Sequence, residues 1–160
     1  MVDGEKSLSA EIELPGAKAK VLAVCVSERT GVQKRPVDAA DLVVGHGIAG
    51  DAHAGDWHRQ VSLLADESAQ RMRDAGAAVG PGDFGENLLT SGISLVDLPI
   101  GASLRVGGTL LEVTQIGKEC HSHCAIFHAV GDCVMPREGI FCRVLEGGPV
   151  RPGDPIERTD

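Results

Sequence analysis

From residue 18 onward the chain alternates short apolar runs with breaks rich in glycine, proline and polar residues. Residues 18–27 (KAKVLAVCVS) are apolar and β-branched, and predict a first strand with Cys25 as a small buried hydrophobe. The polar stretch 28–35 predicts a loop, and residues 37–44 a second strand. Residues 60–64 (QVSLL) predict a short strand, and a helix follows. Asp66 is its expected N-cap, Ala69, Met72 and Ala75 share one side, and Gly76 is the stop. Residues 79–83 (VGPGD) are turn-like, 84–89 predict a strand, and 94–99 a connection with one helical turn. The strongest hairpin signal is 102–106 and 109–116 around Gly107-Gly108. Leu111 and Val113 alternate there with Glu112 and Thr114, so one face is buried and the other wet. Residues 120–128 predict a short helix, and 140–145 (IFCRVL) a strand with Cys142 in the core. Residues 146–149 predict a turn, and 150–157 a final strand. The pattern is that of a mainly β protein with few helices. Residues 1–17 form a lead-in and 18–158 a single domain, without internal repeats.

Composition narrows the function classes. At 160 residues the chain is long enough for one core without disulfide staples. With no Tyr, one Trp and three Phe, that core must be built from Val, Leu, Ile and Ala. The net charge of -8 disfavours nucleic-acid binding, which needs clustered Lys and Arg, and too few aromatics remain for stacking bases. No apolar run approaches the length of a membrane span, and Met1 to Lys6 lacks the basic start and apolar stretch of a secretory leader. A cytoplasmic location with reduced thiols is therefore expected, and five cysteines fit a disulfide framework poorly.

Two stretches carry chemistry. The first, residues 45–59, packs four glycines, three histidines and two aspartates into fifteen residues. Glycine lets backbone approach a ligand closely, and such a loop can cradle an anion. His46, His53 and His58 match no standard zinc spacing, and Asp51 and Asp56 suit turn-bracing hydrogen bonds. Lys34 and Arg35 stand at an element boundary, where binding residues concentrate. Asn87 is either a ligand donor or a loop brace. The second stretch, residues 115–124, ends in Cys120, His121, His123 and Cys124. A thiolate is the reactive form of cysteine, and nearby Lys118, His121 and His123 favour it at Cys120, whereas Glu119 opposes it. Three alternatives stand: a functional thiol at Cys120, a zinc or iron site drawing on Cys120, Cys124, His123, His128 and Cys133, and buried cysteines without chemistry.

Taken in order, the segments 46–53 (HGIAGDAH), 59–61 (RQV), 82–88 (GDFGENL), 98–101 (LPIG), the strand leading to Cys120, 143–148 (RVLEGG) and Gly153-Asp154 resemble the MOSC family, named for the C-terminal domain of molybdenum cofactor sulfurase. The resemblance spans residues 18–157 and is to the short stand-alone bacterial form. It implies a β-barrel with a few short helices and a role in molybdenum (or tungsten) cofactor biology. It places on Cys120 the cysteine that carries sulfur as a persulfide or ligates the metal. Lys34, Arg59, Asn87 and Lys118 are then candidates for holding the cofactor's phosphate and pterin, since cationic and amide donors suit oxyanions. His53, His121 and His123 are candidate proton donors or supporting partners. Expected partners are the cofactor or its precursor, a cysteine desulfurase as sulfur donor and a molybdoenzyme as acceptor. The chain has no PLP-lysine motif, so it could receive sulfur but not extract it. Two alternatives remain: a molybdenum-dependent reductase of N-hydroxylated compounds, and a non-catalytic module stabilised by zinc.

Overall fold

The apolar runs pair into two sheets. The computed structural model describes residues 18–117 and 134–160. Within them the strands are β1 (Lys20–Val26), β2 (Arg35–Val37), β3 (Ala40–Val43), β4 (Gly47–Ile48), β5 (Val61–Ala65), β6 (Leu88–Ser91), β7 (Ser103–Val106), β8 (Thr109–Ile116), β9 (Ile140–Glu146), β10 (Gly148–Val150) and β11 (Ile156–Arg158). The helices are α1 (Asp66–Asp74) and the single turn α2 (Met135–Glu138), with a 3-10 turn at Leu95–Asp97.

The larger sheet has the order β11-β7-β8-β9-β5-β6-β1-β2, and β10-β3-β4 form the smaller one. β5 lies centrally and all five of its residues are buried. It pairs antiparallel with β9 and parallel with β6, and α1 provides the crossover that a parallel pair requires. The expected hairpin forms between β7 and β8, with Gly107 at φ 58 in its turn. The main core gathers Val21, Leu63, Leu88, Leu104, Leu111, Ile140 and Val144 among others, and is almost wholly aliphatic. A second cluster joins Phe84 and Phe141 to Leu64, Ala69, Val134 and Met135 beneath α1.

Several boundaries differ from the sequence-based expectation. The fold is mainly β, but continuous strand pairing does not close the large sheet into the expected barrel. One isolated bridge, Lys20 to Pro155, links the start of β1 to the segment entering β11, with Ile156 N–H donating to Ala19 O at 3.0 Å. The final strand is split, because Pro152-Gly153 makes a turn in which Arg151 N–H donates to the Asp154 carboxylate at 2.8 Å. Residues 37–44 likewise split between β2 and β3. Asp66 is the first helical residue, not the cap: the N-cap is Ala65, and Asp66 pairs with Arg73 at 2.8 Å. Ala75 is exposed, and Ser68 with Ala69 makes the buried face. Residues 84–87 form a turn ahead of β6 and not a strand. The buried Glu86 carboxylate accepts from Gly82 N–H at 2.7 Å and Phe84 N–H at 3.2 Å and folds the segment back.

Candidate functional site

The glycine-rich loop is anchored from beneath. Asp51 Oδ1 accepts from Lys34 Nζ at 2.9 Å and from Ser27 N–H at 3.0 Å, while Oδ2 accepts from His53 N–H at 3.0 Å. Lys34 Nζ also donates to Ser27 Oγ at 2.9 Å. The Lys34 and Asp51 side chains are 1% and 0% exposed. Burial alone would raise the Asp51 carboxyl, but the Lys34 ammonium, with Ser27 N–H and Asn87, outweighs it and holds the group below the usual carboxylate range. Asp51 therefore braces turns as expected, with an ion pair in addition. Lys34, a candidate for the cofactor's phosphate, is instead engaged in this brace, because a buried carboxylate needs a counter-charge.

Asn87 is also spent structurally. It is fully buried. Its Oδ1 accepts from Ser62 N–H at 3.0 Å, and its Nδ2 donates to Cys25 O at 3.1 Å. The amide thus ties β1 to β5, which is the loop-bracing alternative and leaves no donor facing outward.

Arg59 and His53 stand differently. The Arg59 guanidinium carbon lies 4.6 Å from the centre of the Trp57 ring and 5.5 Å from that of Phe141. Its Nε is buried and makes no hydrogen bond among the described residues. His53 stacks on Trp57 at 6.1 Å and meets Phe141 at a tilt, 6.4 Å between centroids. Trp57 Nε1 donates to His53 O at 2.9 Å and so closes the loop on itself. The His58 ring pairs with Gln115 at 2.7 Å, and Thr114 Oγ1 donates to His58 O, so the loop is stitched to the end of β8. That end is fixed by Gly117 N–H donating to Gly139 O at 2.7 Å.

Lys118, Cys120, His121 and His123 lie outside the described residues, as do Cys124, His128 and Cys133. Among the described residues, no group of three or more His, Cys, Asp or Glu side chains could hold a metal, so His46, His53 and His58 are not gathered into one. Cys25 and Cys142 are free and fully buried, as expected of core thiols. Burial, reinforced by Glu86, pushes Cys25 up to about 12, so it is no nucleophile at neutral pH.

A guanidinium clamped between aromatic rings keeps its charge and its planar fork of donors. Its side-chain order needs no carboxylate partner, and a buried N–H without an acceptor is costly. The MOSC domain model matches residues 50–157 of the chain.

The chain belongs to the MOSC domain family. Solved structures of like fold include the YuaD protein from Bacillus subtilis, at TM-score 0.72 and 21% identity over 88% of this chain and 94% of that one. YiiM from Geobacillus stearothermophilus aligns at TM-score 0.67 and 19% identity, over 89% of this chain and 75% of that one. YiiM from Escherichia coli aligns at 0.61 and 21%, over 89% and 69%. A comparison with curated proteins gave no match. These likenesses concern the fold. MOSC domains are associated with the molybdenum cofactor, and in that general sense this is a molybdenum-cofactor-related protein. No helix among the described residues is long and apolar enough to cross a membrane.

Of the described cofactor candidates, Arg59 is a cation with no carboxylate partner among the described residues, and its buried Nε has no acceptor among them. Sequence inspection selected Arg59 but missed Phe141, the second ring of its clamp, because 82 positions separate them in sequence and only the β5–β9 pairing brings them together. It also missed Gln60, whose Oε1 accepts from Val144 N–H at 2.9 Å.

Proposed function

We propose that this MOSC protein binds a molybdopterin-type cofactor or a late intermediate of it, and that Cys120 carries sulfur for cofactor sulfuration as a persulfide. One observation carries the anion-binding half: the Arg59 guanidinium, packed on the Trp57 and Phe141 rings, has no carboxylate partner among the described residues. Arg59 would hold the ligand's phosphate, with His53 beside it as a hydrogen-bonding neighbour. Lys118 would add charge, and His121 and His123 would move protons. When bound, the cofactor supplies a dithiolene-held metal able to accept a sulfur ligand. The cysteine half rests on sequence. The Cys120 thiolate would attack the terminal sulfur of a donor persulfide; a new S–S bond forms, the donor S–S bond breaks, and the donor leaves as thiolate without net oxidation. Gly117, three positions before Cys120, belongs to the strand end that meets the loop at His58, which supports a shared site.

The test uses protein made in a molybdenum-sufficient host. Wild type should retain pterin and molybdenum. Arg59→Ala should bind roughly 10- to 100-fold more weakly, the equivalent of one charged hydrogen bond, with a circular-dichroism spectrum that shows the fold kept. Incubation with a cysteine desulfurase and cysteine should add one sulfur atom to the Cys120 peptide. Stoichiometric zinc without pterin would overturn cofactor binding, and an adduct on Cys124 alone would overturn the cysteine assignment.

A further inference from the structure

The end of β8 departs from the regular ladder. Val113 faces Cys142 across β9, but Gln115 and not Thr114 faces Phe141, so Thr114 is an extra residue in a β-bulge. Buried and half-buried positions alternate along the strand up to Val113, and from Thr114 to Ile116 all three are half-buried. A bulge bends its strand and re-aims the side chains beyond it, and bulges are over-represented beside functional sites. This one sets Gln115 opposite Phe141, whose ring lies 5.5 Å from the Arg59 guanidinium carbon.

The Gln115 amide is held at both ends. Its Nε2 donates to Gly117 O at 2.7 Å, which turns Oε1 toward the His58 ring, 2.7 Å away, and puts the hydrogen of that bond on His58 Nε2. One side chain thus ties the loop that carries Arg59 to the residue that follows β8. Gly117 stands at φ 67, so the chain changes direction there. Cys120 follows by three residues and lies within about 11 Å of this anchor whatever path the chain takes. The fold has other ties at the same place: Thr114 Oγ1 donates to His58 O, and Gly117 N–H to Gly139 O. The His58–Gln115 bond is exposed, where a single hydrogen bond contributes little to stability.

We propose, on the reading of Cys120 as the sulfur carrier, that Gln115 is a positioning residue for its thiol: the two-ended amide sets the direction in which the chain leaves β8 relative to the loop holding Arg59. Gln115 acts through Gly117 and His58 and not on the sulfur itself. A misplacement of about 1 Å can cost about 100-fold in rate. The bridge therefore weighs on the rate of sulfur transfer more than on stability.

The assay is single-turnover loading of Cys120 in the full chain by a cysteine desulfurase carrying its own persulfide, at several donor concentrations, read by peptide mass. Gln115→Met keeps the side-chain length but neither end of the amide. It should lower the maximal rate at least about tenfold and leave the half-saturating donor concentration unchanged. Its melting temperature should stay within about 4 °C of wild type, the shift of one lost hydrogen bond. Gln115→Glu keeps an oxygen for His58 but loses the donor to Gly117 O, and should be as slow. His58→Gln places an N–H donor near the same point and should load nearly as wild type does, whereas His58→Leu should be slow. A brace with a merely structural role would move the melting temperature and not this split between maximal rate and half-saturation. A wild-type rate in Gln115→Met, Gln115→Glu or His58→Leu, or a rate lost through weaker donor binding alone, would overturn the positioning role and leave sulfur carriage by Cys120 standing. No sulfur on Cys120 of the wild type would overturn both.

Discussion

Replacing Lys34 by Met tests whether the glycine-rich loop depends on one buried ion pair. The substitution removes the ammonium but keeps most of the side-chain volume, so the Asp51 carboxylate stays buried with only its backbone and amide donors. Breaking a buried pair from one side costs about 3–5 kcal/mol, because an uncompensated charge remains. For a chain of this size that is a fall of roughly 6–20 °C in melting temperature. The pH dependence discriminates further. Asp51 has a depressed folded pKa, so its contribution is present above the ordinary carboxyl value and is lost as pH falls through the folded one. In Lys34→Met, burial acts without the opposing ammonium and the pKa rises. The variant's deficit should thus be largest near neutral pH and shrink on acidification, as a proton neutralises the orphaned carboxylate. Adding Asp51→Asn, which removes the charge but keeps an oxygen for Ser27 N–H, should restore much of the loss. The coupling energy should reach about 1–3 kcal/mol. Urea denaturation of the four proteins at several pH values is the assay. A single variant within about 1 kcal/mol of wild type at neutral pH would refute the reasoning, since the pair would then be dispensable.

Glu86 gives a slope of opposite sign. Burial pushes its carboxyl up to about 7 against the pull of the Gly82 and Phe84 N–H groups, from 4.5 in the unfolded chain. The folded state therefore holds the proton longer, and stability should fall as pH rises across that interval, by up to roughly 3 kcal/mol. Glu86→Gln should flatten this segment of the stability–pH curve measured by urea denaturation, and an unchanged slope would exclude Glu86 as its source. Gly82→Ala should cost more than about 3 kcal/mol, because at φ 84 the new Cβ would stand 2.1 Å from Lys34 O, a backbone atom with little room to move. A thermal melt showing a loss under about 1 kcal/mol would mean the segment entering β2 at Lys34 and the Gly82 turn can separate.

Local signals in the sequence predicted what local rules control. The β7–β8 hairpin follows from alternation and a Gly-Gly turn, the stop of α1 from Gly76 at φ 104, and the burial of Cys25 and Cys142 from apolar neighbours. What alternation could not reveal is the partner across space. Lys34 looks like surface charge in sequence, and only the return of residue 51 beneath the loop turns it into a buried counter-ion. Glu86 looks like a polar strand residue, but its carboxylate folds a turn back on itself. Of the four described cofactor candidates, Lys34 and Asn87 are consumed by bracing, whereas Arg59 and His53 gather at the Trp57 and Phe141 rings. Propensity cannot separate these cases, since a long cationic side chain serves either purpose.

The two kinds of residue depend on each other. A glycine-rich loop has high backbone entropy, and holding it in one shape requires fixed internal contacts. Asp51 meets that need by joining the loop to β1 through Ser27 and to the following turn through His53 N–H. Gln60 meets it again at the loop's exit through Val144. With both ends held, the intervening Trp57 has Arg59 over its ring and also lines a groove with Gln60 and Leu145. One indole thus lies against both Arg59, the proposed anion ligand, and the groove. The brace fixes the loop that carries Trp57, and Trp57 lies against Arg59, so the loss of the Lys34–Asp51 pair should also weaken anion binding at Arg59.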